Sequence, residues 1–196
     1  MIKSSFEIMA EYNALMNQKF CDSISTISND ILWQDQKAFF GSILGTLNHL
    51  MVGDLIWLNR FNQHPSHPKG FKALETLTDF PLPTKLTQVL CEDKQSFIIA
   101  RQALDQVVIR FIDKLNESDF LQILSYKNTK GDCFSKPFSM LLQHFFNHQT
   151  HHRGQVTTLL SQTDIDIGET DLLMLIPDLD DCQGVATMAI SHNSML

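Results

Sequence analysis

Apolar residues recur at helical spacing in four long stretches of this chain, separated by polar segments that carry its turn-forming residues. In the first stretch Ser4, Ser5, Phe6 and Glu7 read as a capping box. Phe6, Met9, Asn13, Met16, Phe20, Ile24 and Ile27 then share one helical face, interrupted only at Asn13, and the stop falls near Ser28, Asn29 and Asp30. The second stretch runs over 38–61, with Phe40, Ile43, Leu44, Leu47, Met51, Leu55, Leu58 and Phe61 as its apolar surface. A separate stripe holds Ser42, Gly45, His49, Gly53 and Ile56. Glycine inside a helix costs about 1 kcal/mol relative to alanine, so two of them flanking His49 imply a close approach there, by another helix or by an ion and its ligand.

Four of the six prolines (Pro65, Pro68, Pro81 and Pro83) fall in 62–84, a long connection of the kind that joins helices which are not antiparallel neighbours. His64 and His67 lie in it and read as exposed loop residues. The third helical stretch covers 85–115, with Leu86, Val89, Leu90, Phe97, Leu104, Val108, Phe111, Ile112 and Leu115 along its face. Asp93 and Arg101 fit its solvated edge. Residues 123–127 and 133–134 flank a turn containing Gly131 and predict a short hairpin, after which Ser135 can cap a fourth helix with Pro137 in its first turn. Beyond Gln162 an Asp-rich segment is expected to pack irregularly around 172–176. These elements add up to an all-α chain: a four-helix bundle with a long crossover between helices two and three and a short hairpin before helix four.

The length of 196 residues suits one domain, placed at 1–180 and followed by a C-terminal tail at 181–196. A formal net charge of −7, with lysine and arginine scattered, argues against nucleic-acid binding, which needs a basic face. Cys21, Cys91, Cys133 and Cys182 are far apart and form no CxxC pair, so neither a zinc ribbon nor a dithiol redox motif is indicated. The N-terminus lacks a signal-like apolar region and no run is long enough to cross a bilayer, so a cytoplasmic protein with reduced thiols and no membrane contact is expected.

Candidate chemistry is concentrated in 144–155, which holds four of the eight histidines. Leu141, Phe145, His148, His152, Val156 and Leu159 share a stripe, so two imidazoles one turn apart face the interior. Burying both without partners is costly, and a divalent ion held by His at i and i+4 removes that cost. His144 and His148 have the same spacing, and helical geometry permits either pair. With His49 from the second helix, such a pair makes a three-His site, which leaves a coordination position for an exogenous ligand. Zinc is the default ion for neutral imidazoles, with nickel, iron and manganese as alternatives. The segment is not the HExxH of a metalloprotease: Gln149 stands where the glutamate base would be, and an amide cannot take the proton.

The motifs Phe39-Phe40-Gly41-Ser42-Ile43 and Thr46-Leu47-Asn48-His49-Leu50, followed by Asp54, Trp57 and Arg60-Phe61, resemble the DinB-like family, as does the whole of 146–155. The resemblance extends from the first helix to about residue 175. It implies a four-helix bundle whose metal ligands map onto His49, His148 and His152, and it favours His148/His152 over His144/His148. It also implies a homodimer, and relatives that are metal-dependent transferases or isomerases using a low-molecular-weight thiol. The function expected on this basis is a thiol S-transferase whose partners are a small thiol and an electrophile, with Asn13, Asp54 or Arg101 orienting groups around the ion. A non-catalytic metal-binding stress-response protein and a metal-dependent hydrolase are the alternatives.

Overall fold

The structure, a computed structural model, describes residues 2–177; the expected tail at 181–196 lies outside the described residues. The chain is mostly helical, with one small antiparallel sheet. Helices α1 (Ile2–Ser25), α2 (Asn29–Trp33), α3 (Ile43–Phe61), α4 (Lys94–Asp113) and α5 (Phe138–Ser161) are joined by loops, 3-10 turns and a hairpin of β1 (Ile123–Lys127) and β2 (Cys133–Pro137).

Several expected boundaries move, each for a local reason. α1 is already helical at Ile2, so Ser4 and Ser5 lie inside its first turns rather than forming its cap. Ser28 caps the separate α2, accepting a hydrogen bond from Ile31 N. Residues 38–42 are not helical. Gly41, at φ +78, closes a tight loop in which its N–H donates to the Ala38 carbonyl at 2.9 Å, and Ser42 then caps α3 through the Gly45 N–H at 3.0 Å. Residues 85–93 likewise stay outside α4, because Asp93 caps that helix by accepting from Ser96 N at 2.9 Å. Asp93 is therefore a cap rather than a solvated edge residue. Ser135 does not cap α5: it pairs with Ser125 across the hairpin, and the helix begins after Pro137.

Contacts along the long helices fix their directions. Phe61 meets Phe138 and Phe145, Trp57 meets His144, and His49 meets His148 and His152, so α3 and α5 run antiparallel. Arg101 reaches Asp54 and Phe111 stacks on Phe61, so α3 and α4 run parallel. That parallel relation requires the long 62–93 connection to return the chain to its starting end. α1 lies along α4 and also touches α5. The space between them is filled by Phe20, Ile24, Leu44, Leu47, Phe97, Leu104, Leu142 and Val156, all buried. Among the described residues no helix is long and apolar enough to cross a membrane.

Candidate metal centre

The antiparallel contact of α3 with α5 brings His49, His148 and His152 together, each offering a ring nitrogen, with these atoms within 4.8 Å of one another. His49 Nε2 and His148 Nε2 are 3.2 Å apart. The other nitrogens of two of these rings are engaged: His49 Nδ1–H donates to the Leu86 carbonyl at 3.0 Å, and His152 Nδ1–H donates to Gln155 Oε1 at 2.7 Å. Each bond fixes a tautomer and leaves Nε2 as the free lone pair. Gly53 makes room for the third ring, since a Cβ there would stand 2.8 Å from His148 Cε1. The close approach expected at Gly53 is thus made by a candidate ligand. Gly45 has a different role: a Cβ there would run into the Phe40 carbonyl oxygen at the start of the helix.

Phe40 closes one side of the group, stacked on His49 at 3.8 Å and 17° and edge-on to His152 at 5.5 Å. Burial pushes the pKa of all three imidazoles down, and for His148, with His152 and His49 adding to the effect, down to about 3. Three neutral rings with clustered ring nitrogens match the donor set of zinc and similar borderline divalent cations. Without a cation, His148 Nε2–H can donate to His49 Nε2, but His152 Nε2 then has no donor facing it among the described residues.

His64, His67 and Asp119 form a second group with ligand atoms equally close. His64 is buried, not the exposed loop residue expected, and both its nitrogens are bonded. Its Nδ1 accepts from Ser66 N at 3.2 Å and its Nε2–H donates to the Asp119 carbonyl at 3.2 Å. His67 donates to Asp119 Oδ1 at 3.0 Å, while Asn116 N donates to Oδ2 at 2.9 Å. With those atoms occupied, the second group acts as a strut between the 62–71 loop and the turn before β1.

A model of the DinB family matches residues 1–176. The chain belongs to the DinB family. Protein DinB of Bacillus subtilis strain 168 is 26% identical to it over 166 residues, covering 82% of this chain and 87% of that relative. No solved structure matches the chain. DinB-family membership and the histidine groups are compatible with metal binding.

The polar residues expected to orient substrate in this DinB-family chain occupy the core behind the histidines instead. Arg101 is 2% exposed, not on a solvated edge; it donates to Asp54 Oδ2 at 2.7 Å and pairs with Asp105 at 2.9 Å. Asn17 donates to Asp105 at 2.8 Å and Asn13 at 3.3 Å, Arg153 donates to Asn13, and Gln149 donates to Asp54. Burial raises Asp105 to about 6, against Arg101 which lowers it; burial also opposes the charge of Arg101, but Asp105 and Asp54 outweigh it and hold that guanidinium firmly protonated. Sequence reasoning missed Gln155 and Asn48 as supports of the site. Gln155 carried a usable signal, lying one turn after His152, whereas the Leu86 carbonyl carried none, since a backbone acceptor has no residue signature.

Proposed function

We propose that His49, His148 and His152 hold one divalent cation, zinc by default, and that this DinB-family chain is a metal-dependent transferase of a small thiol to an electrophile. The observation that carries the reading is the pair of fixed tautomers: His49 and His152 each give their Nδ1–H to an acceptor, which leaves Nε2 as the free lone pair, and one nitrogen of each of the three rings lies within 4.8 Å of the others. The pairing of the long helices supports reading the scaffold as a four-helix bundle, a frame that builds metal sites from facing helices. When bound, the cation would supply Lewis acidity, favouring loss of the proton from a thiol at neutral pH. The chain's own residues do the rest. Phe40 shields His49, the Leu86 carbonyl and Gln155 keep two rings in register, and Gly53 lets His148 reach the centre.

Hydrolysis is less well supported. Gln149 is fully buried and donates to Asp54, so it is neither a base nor exposed to a water at the histidines. Metal analysis of protein purified without a histidine tag tests the site, with about one ion per chain expected and His49→Ala, His148→Ala and His152→Ala each expected to lose it. Retention of the ion in all three variants would refute the assignment. Thiol consumption against a panel of epoxides, alkyl halides and conjugated alkenes tests the reaction, and metal binding without any thiol consumption would leave a non-catalytic metal protein.

A further inference from the structure

Arg101 and Arg153 are buried and answered by side chains of their own fold, as described above. Arg60 is not. Its guanidinium carbon lies 4.7 Å from the ring centroid of Trp57 and 5.1 Å from that of Tyr126, two rings that meet at 5.3 Å and 61°. The side chain is half-buried, burial lowers its pKa, and among the described residues no carboxylate or hydrogen-bond acceptor meets its N–H groups. The guanidinium carbon lies over both rings, and a half-buried guanidinium held in this way keeps N–H donors for a planar acceptor such as a carboxylate. A partly desolvated cation kept without an anion is unfavourable unless something else completes it.

The place of Arg60 says what that could be. Gly53, Trp57 and Arg60 follow one another along a single face of α3, and helical side chains lean toward the N-terminus, so Arg60 reaches back over Trp57 toward the histidines. Opposite them on α5, the His144 ring is 5.1 Å from Trp57 and 6.2 Å from His148. The backbone positions of Gly53 and Arg60 are about 10 Å apart along the helix axis, and the backward lean of Arg60 brings its guanidinium nearer the histidines than that. A single guanidinium suits a monoanion such as a carboxylate better than a phosphate dianion.

We propose that Arg60 is a specificity-determining residue whose guanidinium edge, positioned by Trp57 and Tyr126, binds the carboxylate of a ligand reaching toward the three-histidine group. The inference rests on the thiol reading of that group and narrows its substrates to small thiols that carry a carboxylate.

The test is calorimetric titration of the zinc-loaded full chain with glutathione, S-methylglutathione and glutathione diethyl ester. Glutathione is expected to bind the unaltered protein about tenfold more tightly than its diester, as for a hydrogen-bonded charge pair. Arg60→Gln is expected to weaken glutathione by a similar factor while leaving the diester unchanged, the non-additivity expected if the two changes remove one contact. Arg60→Lys, which keeps the charge but loses the planar fork, is expected to fall between. The acid–ester comparison needs no variant, so a folding defect in Arg60→Gln cannot mask the result. Equal binding of acid and ester, an undiminished preference for the acid in Arg60→Gln, or no binding of either free acid overturns the proposal. If S-methylglutathione binds as tightly as glutathione and both depend on Arg60, the thiol reading fails and the anchor stands. If glutathione binds more tightly than S-methylglutathione but ignores esterification and Arg60, the anchor fails and the thiol reading stands.

Discussion

Gly53 separates what the proposed metal centre needs from what the helix needs. Alanine at this position would favour α3 by up to about 1 kcal/mol through helix propensity, yet its Cβ would stand 2.8 Å from His148 Cε1 and push that ring off its position. The two effects act on different measurements. Gly53→Ala is expected to leave the melting temperature of the metal-free protein unchanged or slightly higher, while zinc affinity drops at least about tenfold, as when ligand geometry is disturbed. Unchanged zinc affinity by competition with a chelator would show that His148 is not a ligand. This residue was legible in the sequence, because glycine one turn from a candidate ligand on a helix has few explanations. Arg101 was not. Its charge suggested an exposed edge, and only the three-dimensional convergence of Asp54 and Asp105, from α3 and α4, explains how a guanidinium 2% exposed is tolerated.

At the scale of elements, Asn48 links α3 to the loop that orients His49. Its Nδ2 donates to the carbonyls of Leu44 at 2.9 Å and Cys91 at 3.0 Å, and its Oδ1 accepts from Leu90 N at 2.8 Å and Cys91 N at 2.9 Å. All of its amide hydrogen-bonding capacity is used, three of the four bonds on that loop, so 85–93 is held as an irregular segment with the Leu86 carbonyl in reach of His49 Nδ1. Periodicity alone had joined this segment to the following helix. Leu86 and Val89 fit the stripe by spacing, but both are about half exposed, and the Asp93 cap and the Asn48 bonds decide the boundary. Helix cores were legible because burial imposes their period; their ends were not, because caps and side-chain-to-backbone bonds act locally against that period. Asn48→Ala would leave the backbone groups of partly buried Leu90 and buried Cys91 without their partner. It is expected to lower unfolding free energy by about 2–3 kcal/mol and to weaken zinc as well, read by urea denaturation and chelator competition. Loss of stability with zinc affinity intact would show that the loop does not tune His49.

For the molecule as a whole, the interior holds ionisable groups whose contributions run in opposite directions with pH. The imidazoles of His49, His64, His144, His148 and His152 all have pKa values lowered in the fold, by burial first. The unfolded chain binds protons on them before the folded chain does, so their contribution to stability is complete above about 6.5 and is lost as pH falls, continuing for His148 down to about 3. Asp105 works the other way. Burial raises it from 3.8 to about 6, so across that interval the folded state holds the extra proton and stability from this group declines as pH rises. Burial raises Asp54 as well, and five imidazoles against these two buried acids make the histidines dominant, with the acids flattening the slope. In the presence of a chelator, the urea midpoint is therefore expected to fall steadily from about pH 7 to about pH 5. With zinc the fall should be steeper, because ligand protonation also expels the metal and with it the stabilisation that binding supplies to the folded state. A chelator-treated midpoint that rises on acidification would mean that the acid network outweighs the histidines. Identical slopes with and without zinc would mean that the titrating histidines are not the ones that hold it.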